Sequence, residues 1–419
     1  MLKIAEMVKH VVVIGGGAAG FFAAVNVSRL DADCRVTILE KGNKVLSKVR
    51  ISGGGRCNLT HACFDDSQLV KHYPRGSKAL RGAFSRFTTT DTIRWFEERG
   101  VKLKSEEDGR MFPVTDNSAT IVDCLMDEAA RYGVQIKLGA DVKKIRKDTA
   151  GFLLEMNGGG TLTANSVVIA SGGNPKSESY SWLRELGHTI VPPVPSLFTF
   201  NVPGKNITSL MGLSVPDARI RLDGLPYSYS GPLLITHWGF SGPAILKLSA
   251  WAARDLSQCN YTFVVRISWL GEKKEDEVRN RFAEARESWN TRHVSGYPLF
   301  ELPRRLWEHL VSESGIVADL RWADLPRKNM NKLIESLLND TYTVKGKTTF
   351  KEEFVTCGGI DLREIDFRSM ESLICKNLFF AGEVLDVDGI TGGFNFQAAW
   401  TTGFITAQAI AAHNKALSC

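Results

Sequence analysis

The chain contains no C-x-x-C pair, although it carries eight cysteines in 419 residues. Their positions (34, 57, 63, 124, 259, 357, 375 and 419) also lack zinc-ligand spacing. Free thiols in a reducing compartment are the simplest reading, and enzymes that pass electrons through a neighbouring dithiol are excluded. No apolar run approaches the roughly 20 residues that span a bilayer, so no membrane association is expected. Residues 1–10 are too short, and too soon followed by a glycine turn, to act as a secretory signal, which predicts a cytoplasmic protein. There is no internal repeat, and no His/Asp/Glu cluster has metal spacing, so no metal is expected. Strong charge is missing as well: 52 basic against 46 acidic residues leave a net +6. Basic residues gather in Lys41–Arg56 and in Lys71–Arg86, but aromatic residues are not interleaved there as base-stacking platforms require. The sequence therefore argues for a small-molecule substrate and against nucleic acid as a partner. It gives no oligomeric state.

What is present is concentrated near the start. Val11 to Ile14 form an apolar run that ends in Gly15-x-Gly17-x-x-Gly20. In a strand-turn-helix unit, the first glycine makes the tight turn and the second lets the backbone approach a pyrophosphate. The third lets helix pack on strand. Ala18 and Ala19 place backbone N–H groups at the helix start, where a diphosphate is favoured. A second strand, Arg35 to Leu39, runs into Glu40, positioned to accept bonds from ribose hydroxyls, with Lys41 next to it. That order predicts a dinucleotide-binding fold.

The far end of the chain selects the dinucleotide. Asn377 to Ala381 read as an apolar strand entering Gly382-Glu383, and Gly392-Gly393-Phe394-Asn395-Phe396 open a long helix. Such an element delivers an acid to a ribityl chain and a helix N-terminus to an isoalloxazine, where it stabilises charge on the reduced ring. A third element, Ser166 to Ile169 followed by Ala170-Ser171-Gly172, matches a strand that closes over FAD. A second glycine-rich loop contributes Arg50, Ser52, Gly53, Gly54, Arg56, Cys57 and Asn58, whose backbone is expected to press on a flat ring or phosphate while Arg56 and Asn58 donate to it. Val142 is expected to offer its backbone to adenine. FAD is the predicted cofactor. Only one full glycine fingerprint exists, so NAD(P)H is expected as a transient electron donor.

Three stretches carry a more specific likeness: Lys48-Val49-Arg50-Ile51-Ser52-Gly53-Gly54-Gly55-Arg56-Cys57-Asn58, Thr236 to Leu246, and Ala381 to Asn395. They resemble the bacterial BaiN/RdsA-type NAD(P)/FAD-dependent oxidoreductases, also described as aminoacetone oxidase-like. The resemblance runs through nearly the whole chain. It implies an FAD domain with an inserted β domain and a helical subdomain and, for some members, NAD(P)H-linked reduction of an unsaturated steroid-like acid.

The expected fold class is α/β, a Rossmann-like FAD domain of the two-dinucleotide-fold type. Val191-Pro192-Pro193-Val194-Pro195 breaks the pattern. The FAD domain is therefore assigned to 8–190 and 345–415 and an inserted substrate or cap domain to 191–344, β-rich over 191–270 and helical over 272–340. The expected chemistry is hydride transfer between flavin N5 and a small organic substrate, such as a conjugated C=C bond. The alternatives are an oxidase of small amines or amino ketones using dioxygen, and a flavin-dependent nucleic-acid-modifying or binding protein. His237 is the candidate general acid, and Cys57 a second candidate for chemistry. Ser241 is read as a helix N-cap, and Asp386 and Asp388 as residues that order their own loop through side-chain-to-backbone bonds.

Overall fold

His10–Ile14 (β1) is buried along its whole length, and after His10 it is all Val and Ile because both faces of this central parallel strand are covered. The structure is a computed structural model that describes residues 9–149, 151–204, 206–348 and 355–416. Residue 8 and Phe350 of the assigned FAD domain, with Cys419, lie outside the described residues. After β1 come helix Ala18–Leu30 (α1), strand Arg35–Glu40 (β2) and helix Ser47–Gly55 (α2). Strands Gln135–Leu138 (β3), Ser166–Ile169 (β4) and Leu378–Phe380 (β5), with helix Phe394–Ala416 (α3), complete the frame.

These strands run parallel in the order β3-β2-β1-β4-β5, with Ile365–Asp366 and Glu371–Ser372 added antiparallel beyond β5. Val12 is paired with Thr37 on one side and Val167 on the other. This is the Rossmann order, in which the winding reverses between β1 and β4 and leaves a crevice at their carboxyl ends. α1 is buried nearly all round, which its run of Phe, Ala and Val permits, and Phe22 meets Trp95 and Trp400 at 4.6 and 5.2 Å.

Three local details shape the two units. Thr161–Ala164 closes a hairpin on Phe152–Met156, and Ser166–Ile169 then joins the parallel sheet. A helix begins at Thr89; Thr88 caps it, and Asp91 accepts from the Thr88 N–H, forming a capping box. Ser241, expected as an N-cap, instead ends a strand, and Gly242 takes the cap position before Pro243.

The chain divides into two compact units, Met1–Pro195 with Lys351–Cys419, and Ser196–Phe350. The second is built on an antiparallel sheet that starts with Asp340–Lys345 and ends with Lys347–Thr348. Those two edge strands are consecutive in the chain, and Asn201 N–H donates to Gly346 O at 3.2 Å, so the sheet curls until its edges meet. Helices Glu275–Ser288, Arg304–Glu313 and Arg327–Asn339 pack their apolar faces on its core.

Candidate functional site

The loops that leave β1, β2, β4 and β5 all emerge at the carboxyl edge of the parallel sheet, on either side of the reversal point. Gly15, at φ +111°, crosses β4 so closely that a Cβ would stand 2.2 Å from Ala170 O. Gly20 packs equally tightly on the turn, 2.0 Å from Gly15 O, whereas a Cβ at Gly17 would meet nothing within 4 Å. The first and third glycines are thus needed for packing, and the second faces open space. α1 starts at Ala18 with Gly17 as its N-cap, and among the described residues no side chain caps it. Its first N–H groups and its positive dipole end are available to an anion.

Glu40, at the end of β2, accepts from Gly16 N–H on Oε2 (2.8 Å) and from Gly42 N–H on Oε1 (2.7 Å). The carboxylate is fixed in orientation, yet each oxygen keeps a lone pair for a further donor. At the end of β5, Glu383 accepts from Thr356 N–H at 2.9 Å and pairs with Lys48 at 2.8 Å. A Cβ on Gly173 would strike both Glu383 Oε1 and Thr356 Oγ1. That threonine hydroxyl is buried and has no hydrogen-bond partner among the described residues. Lys48, Thr356 and Gly173 were not named as site residues. Lys48 heads one of the family-like stretches and Gly173 follows Gly172, but Thr356 lies far along the chain and carried no signal.

The loop before α3 is pinned from several sides. Asn395 accepts from Gly389 N–H (2.8 Å) and donates to Gly389 O (2.9 Å), so its amide closes its own turn. Tyr73 donates to Phe394 O at 2.6 Å, and the rings of His61 and His72 both pack on Phe394, with centroids 4.5 and 4.3 Å from its own. Asp388 does more than order its loop: it is fully buried and forms a two-point ion pair with Arg75, including Nε–Oδ1 at 2.5 Å. A Cβ on Gly393 would lie 2.4 Å from Thr60 O, so the close approach this glycine permits is to the Thr60 backbone.

The second glycine-rich loop leaves helical geometry at Ser52, Gly53 and Gly54. Gly53 packs on Phe112 and Gly54 is open. Arg56 lies over the Phe112 ring, 4.0 Å from its centroid, and pairs with Glu106 at 2.6 Å. In the amide orientation that satisfies both of its atoms, Asn58 donates to Thr60 O and accepts from Gly393 N–H, each at 3.0 Å. Lys41 and Arg50 are exposed, and Ser52 donates to Val49 O. Gly382 N–H donates to Thr402 Oγ1 at 2.9 Å, and Phe396 stacks on Trp400. Val142, buried, opens a separate antiparallel sheet opposite Met156.

Two catalytic expectations fare differently. Cys57 is fully buried, and that burial pushes its thiol up to about 12. The structure corrects the reading of Cys57 as a reactive thiol, because the thiolate is the nucleophile and is withheld here. His237 belongs to the second unit, exposed at the tip of a hairpin closed by Thr236 and Gly239.

The residues at the sheet edge fit an FAD. Open space at Gly17, an uncapped helix start, an oriented ribose-side carboxylate and an orphaned buried hydroxyl beside Glu383 are features such a cofactor would use. Residues 9–409 match the HI0933-like protein Rossmann domain family. The chain belongs to that family.

As an HI0933-like protein it is an FAD-dependent oxidoreductase of the Rossmann type. It is 31% identical to a ribosomal RNA dihydrouridine synthase of Haemophilus influenzae, over 95% of this chain and 98% of that one. It is 30% identical to the Escherichia coli protein of the same name, over 95% and 96%. A 3-dehydro-bile acid delta(4,6)-reductase of Clostridium scindens is 28% identical over 95% and 98%. In fold the chain is similar to 3-ketosteroid delta1-dehydrogenase from Sterolibacterium denitrificans (TM-score 0.51, 11% identity, 96% of this chain and 99% of that one). The two RNA-modifying relatives overturn the expectation that nucleic acid is not a partner. A modest net charge of +6 and the lack of interleaved aromatics were poor guides, because contact with phosphates needs only local cations and no base stacking. Among the described residues no helix is long and apolar enough to cross a membrane.

Proposed function

We propose that this HI0933-like protein reduces a carbon–carbon double bond conjugated to a carbonyl, and that its substrate is the uracil base within RNA. The observation that carries this reading is the end-to-end likeness to two proteins named for making dihydrouridine in ribosomal RNA. Uracil is a conjugated system in which the C4 carbonyl polarises the C5=C6 bond. Adding hydride at C6 and a proton at C5 gives the dihydro base with atoms and electrons balanced. Bound FAD would supply the hydride, replenished by a pyridine nucleotide that visits and leaves. The protein's part is to hold the dinucleotide: α1 and Gly17 for the diphosphate, Glu40 for a ribose, and the Glu383–Thr356 corner and the start of α3 for the rest.

The test is anaerobic. Holoenzyme reduced by photoreduction is mixed with a ribosomal RNA fragment, and the visible flavin band is followed while the RNA is analysed for a gain of two mass units at a uridine. Recovery of the band together with that gain is the expected result. Recovery by a conjugated ketosteroid but not by RNA would instead support the second reading, a small-enone reductase, which the Clostridium scindens relative favours. Fastest recovery with dioxygen would point to an oxidase.

A further inference from the structure

The sequence holds two basic clusters, and the structure treats them differently. In the first, Lys48 pairs with Glu383 and Arg56 with Glu106, so part of that charge is matched by protein carboxylates. In the second, residues 67–90 contain Lys71, Arg75, Lys78, Arg81 and Arg86 and no Asp or Glu. Arg75 is paired inward with Asp388. The others stay outside. Helix Ser77–Phe84 buries Leu80, Ala83 and Phe84, which turns Lys78, Arg81 and Gly82 to solvent. Lys71 and Arg86 are also exposed, before and after the helix, and their hydrogen bonds among the described residues go to neutral groups, Gln68 Oε1 and Gln408 Oε1 among them. Carboxylates stand only at the margins, with Asp65 and Asp66 before the segment and Asp91 after it.

This strip is tied to the loop that leads into α3. Ile390 N–H donates to His72 O at 2.9 Å, and the Arg75–Asp388 pair joins the two segments a few residues away. The arrangement is a strip of four exposed cations, Lys78 and Arg81 on the helix with Lys71 and Arg86 flanking it, none of them in a salt bridge among the described residues, with a side-chain-free gap at Gly82 and an anchor to the wall of the candidate flavin site.

We propose that the face carrying Lys71, Lys78, Arg81 and Arg86 binds the phosphate backbone of RNA. The proposal rests on the reading of RNA as substrate. Charge complementarity selects the partner: phosphates spaced along a strand match cations spaced along this strip from Lys71 to Arg86, and their contact releases counterions.

The test uses FAD-loaded full-length protein carrying Lys78→Gln and Arg81→Gln, with Arg327→Gln and Lys328→Gln, exposed on the second unit, as an equal change of charge elsewhere. Binding of a ribosomal RNA fragment is measured from 50 to 200 mM salt. The Lys78/Arg81 variant is expected to bind about tenfold more weakly at the low end, and its log–log salt slope to fall by about 2, near 1 per lost phosphate contact. Its flavin spectrum should match the parent, showing that the fold is kept. The control pair should bind almost as the parent does. Equal binding by parent and Lys78/Arg81 variant, or an equal loss in the control, overturns the proposal. So does binding to phosphatidylglycerol vesicles, but not RNA, through the same two residues. Parent protein that binds RNA through this face without reducing it counts against the uridine reading and supports the binding face.

Discussion

Gly403 of α3 lies directly on Ala19 of α1: a Cβ at position 403 would stand 2.9 Å from Ala19 O and 3.2 Å from Ala23 N. The two helices that begin at the candidate flavin site, one after Gly17 and one after Gly393, are therefore in close backbone contact where Gly403 crosses Ala19 and Ala23. A glycine in a helix interior costs about 1 kcal/mol in propensity, and here that cost is offset by the close approach it allows. Gly403→Val should lower unfolding stability by about 1–3 kcal/mol through overpacking and loosen flavin retention at the same time. Urea unfolding followed by fluorescence, with flavin content read after gel filtration, checks both effects. Parental values for both would show that the helices can part without consequence.

Glu40→Ala removes both the acceptor proposed for ribose and the clamp on the N–H groups of Gly16 and Gly42. Loss of a charge-assisted bond is worth about 1.5–3 kcal/mol, roughly ten- to a hundredfold in FAD affinity. Titration of apoprotein with FAD measures it. An unchanged dissociation constant would reject the ribose contact.

Cys57 should behave as a packing residue. Cys57→Ala is expected to keep its flavin spectrum and turnover, with a stability loss within about 2 kcal/mol. In the native protein a thiol reagent should label the exposed Cys259 before Cys57. Loss of turnover at full flavin content would restore a chemical role to the thiol.

Two buried histidines set a pH dependence. Burial pushes His188 below its ordinary 6.5 despite the opposing Glu364, and burial, with Arg35 and Lys137 adding to it, does the same to His10. Both groups bind a proton more weakly folded than unfolded. Their contribution is complete above pH 6.5 and is lost as pH falls through the folded-state values, by at most about 1.4 kcal/mol per pH unit each. Melting temperature should fall from pH 7 to pH 5, and the slope should flatten in His188→Gln. An identical slope in that variant would assign the loss elsewhere.

His237 remains the proposed proton donor. His237→Gln should lower turnover at least about tenfold while leaving FAD content and flavin reduction by NAD(P)H unchanged. Parental turnover in that variant would exclude the role.

The Rossmann order was legible because it depends on local rules. An apolar run, a glycine turn, a helix rich in small residues and a strand ending in Glu40 each declare themselves within a few residues. The same holds for Gly382-Glu383 and the start of α3, since strand ends and helix starts have short-range signatures. Cys57, Asp388 and Arg56 were misjudged or left open for the opposite reason. Burial, the Arg75 partner and the Glu106 partner all come from segments distant in sequence, so nothing near those residues announces them.

By itself the sequence determined the cofactor class and the parallel frame that carries it, because backbone conformation and hydrophobic period are written locally. Only the tertiary structure decided which charges are neutralised and which face solvent. It alone brought Thr356 beside Glu383 and set α3 on α1 through Gly403. Those outcomes depend on which distant segments meet, and contact across the fold is a property of packing that no short stretch of chain contains.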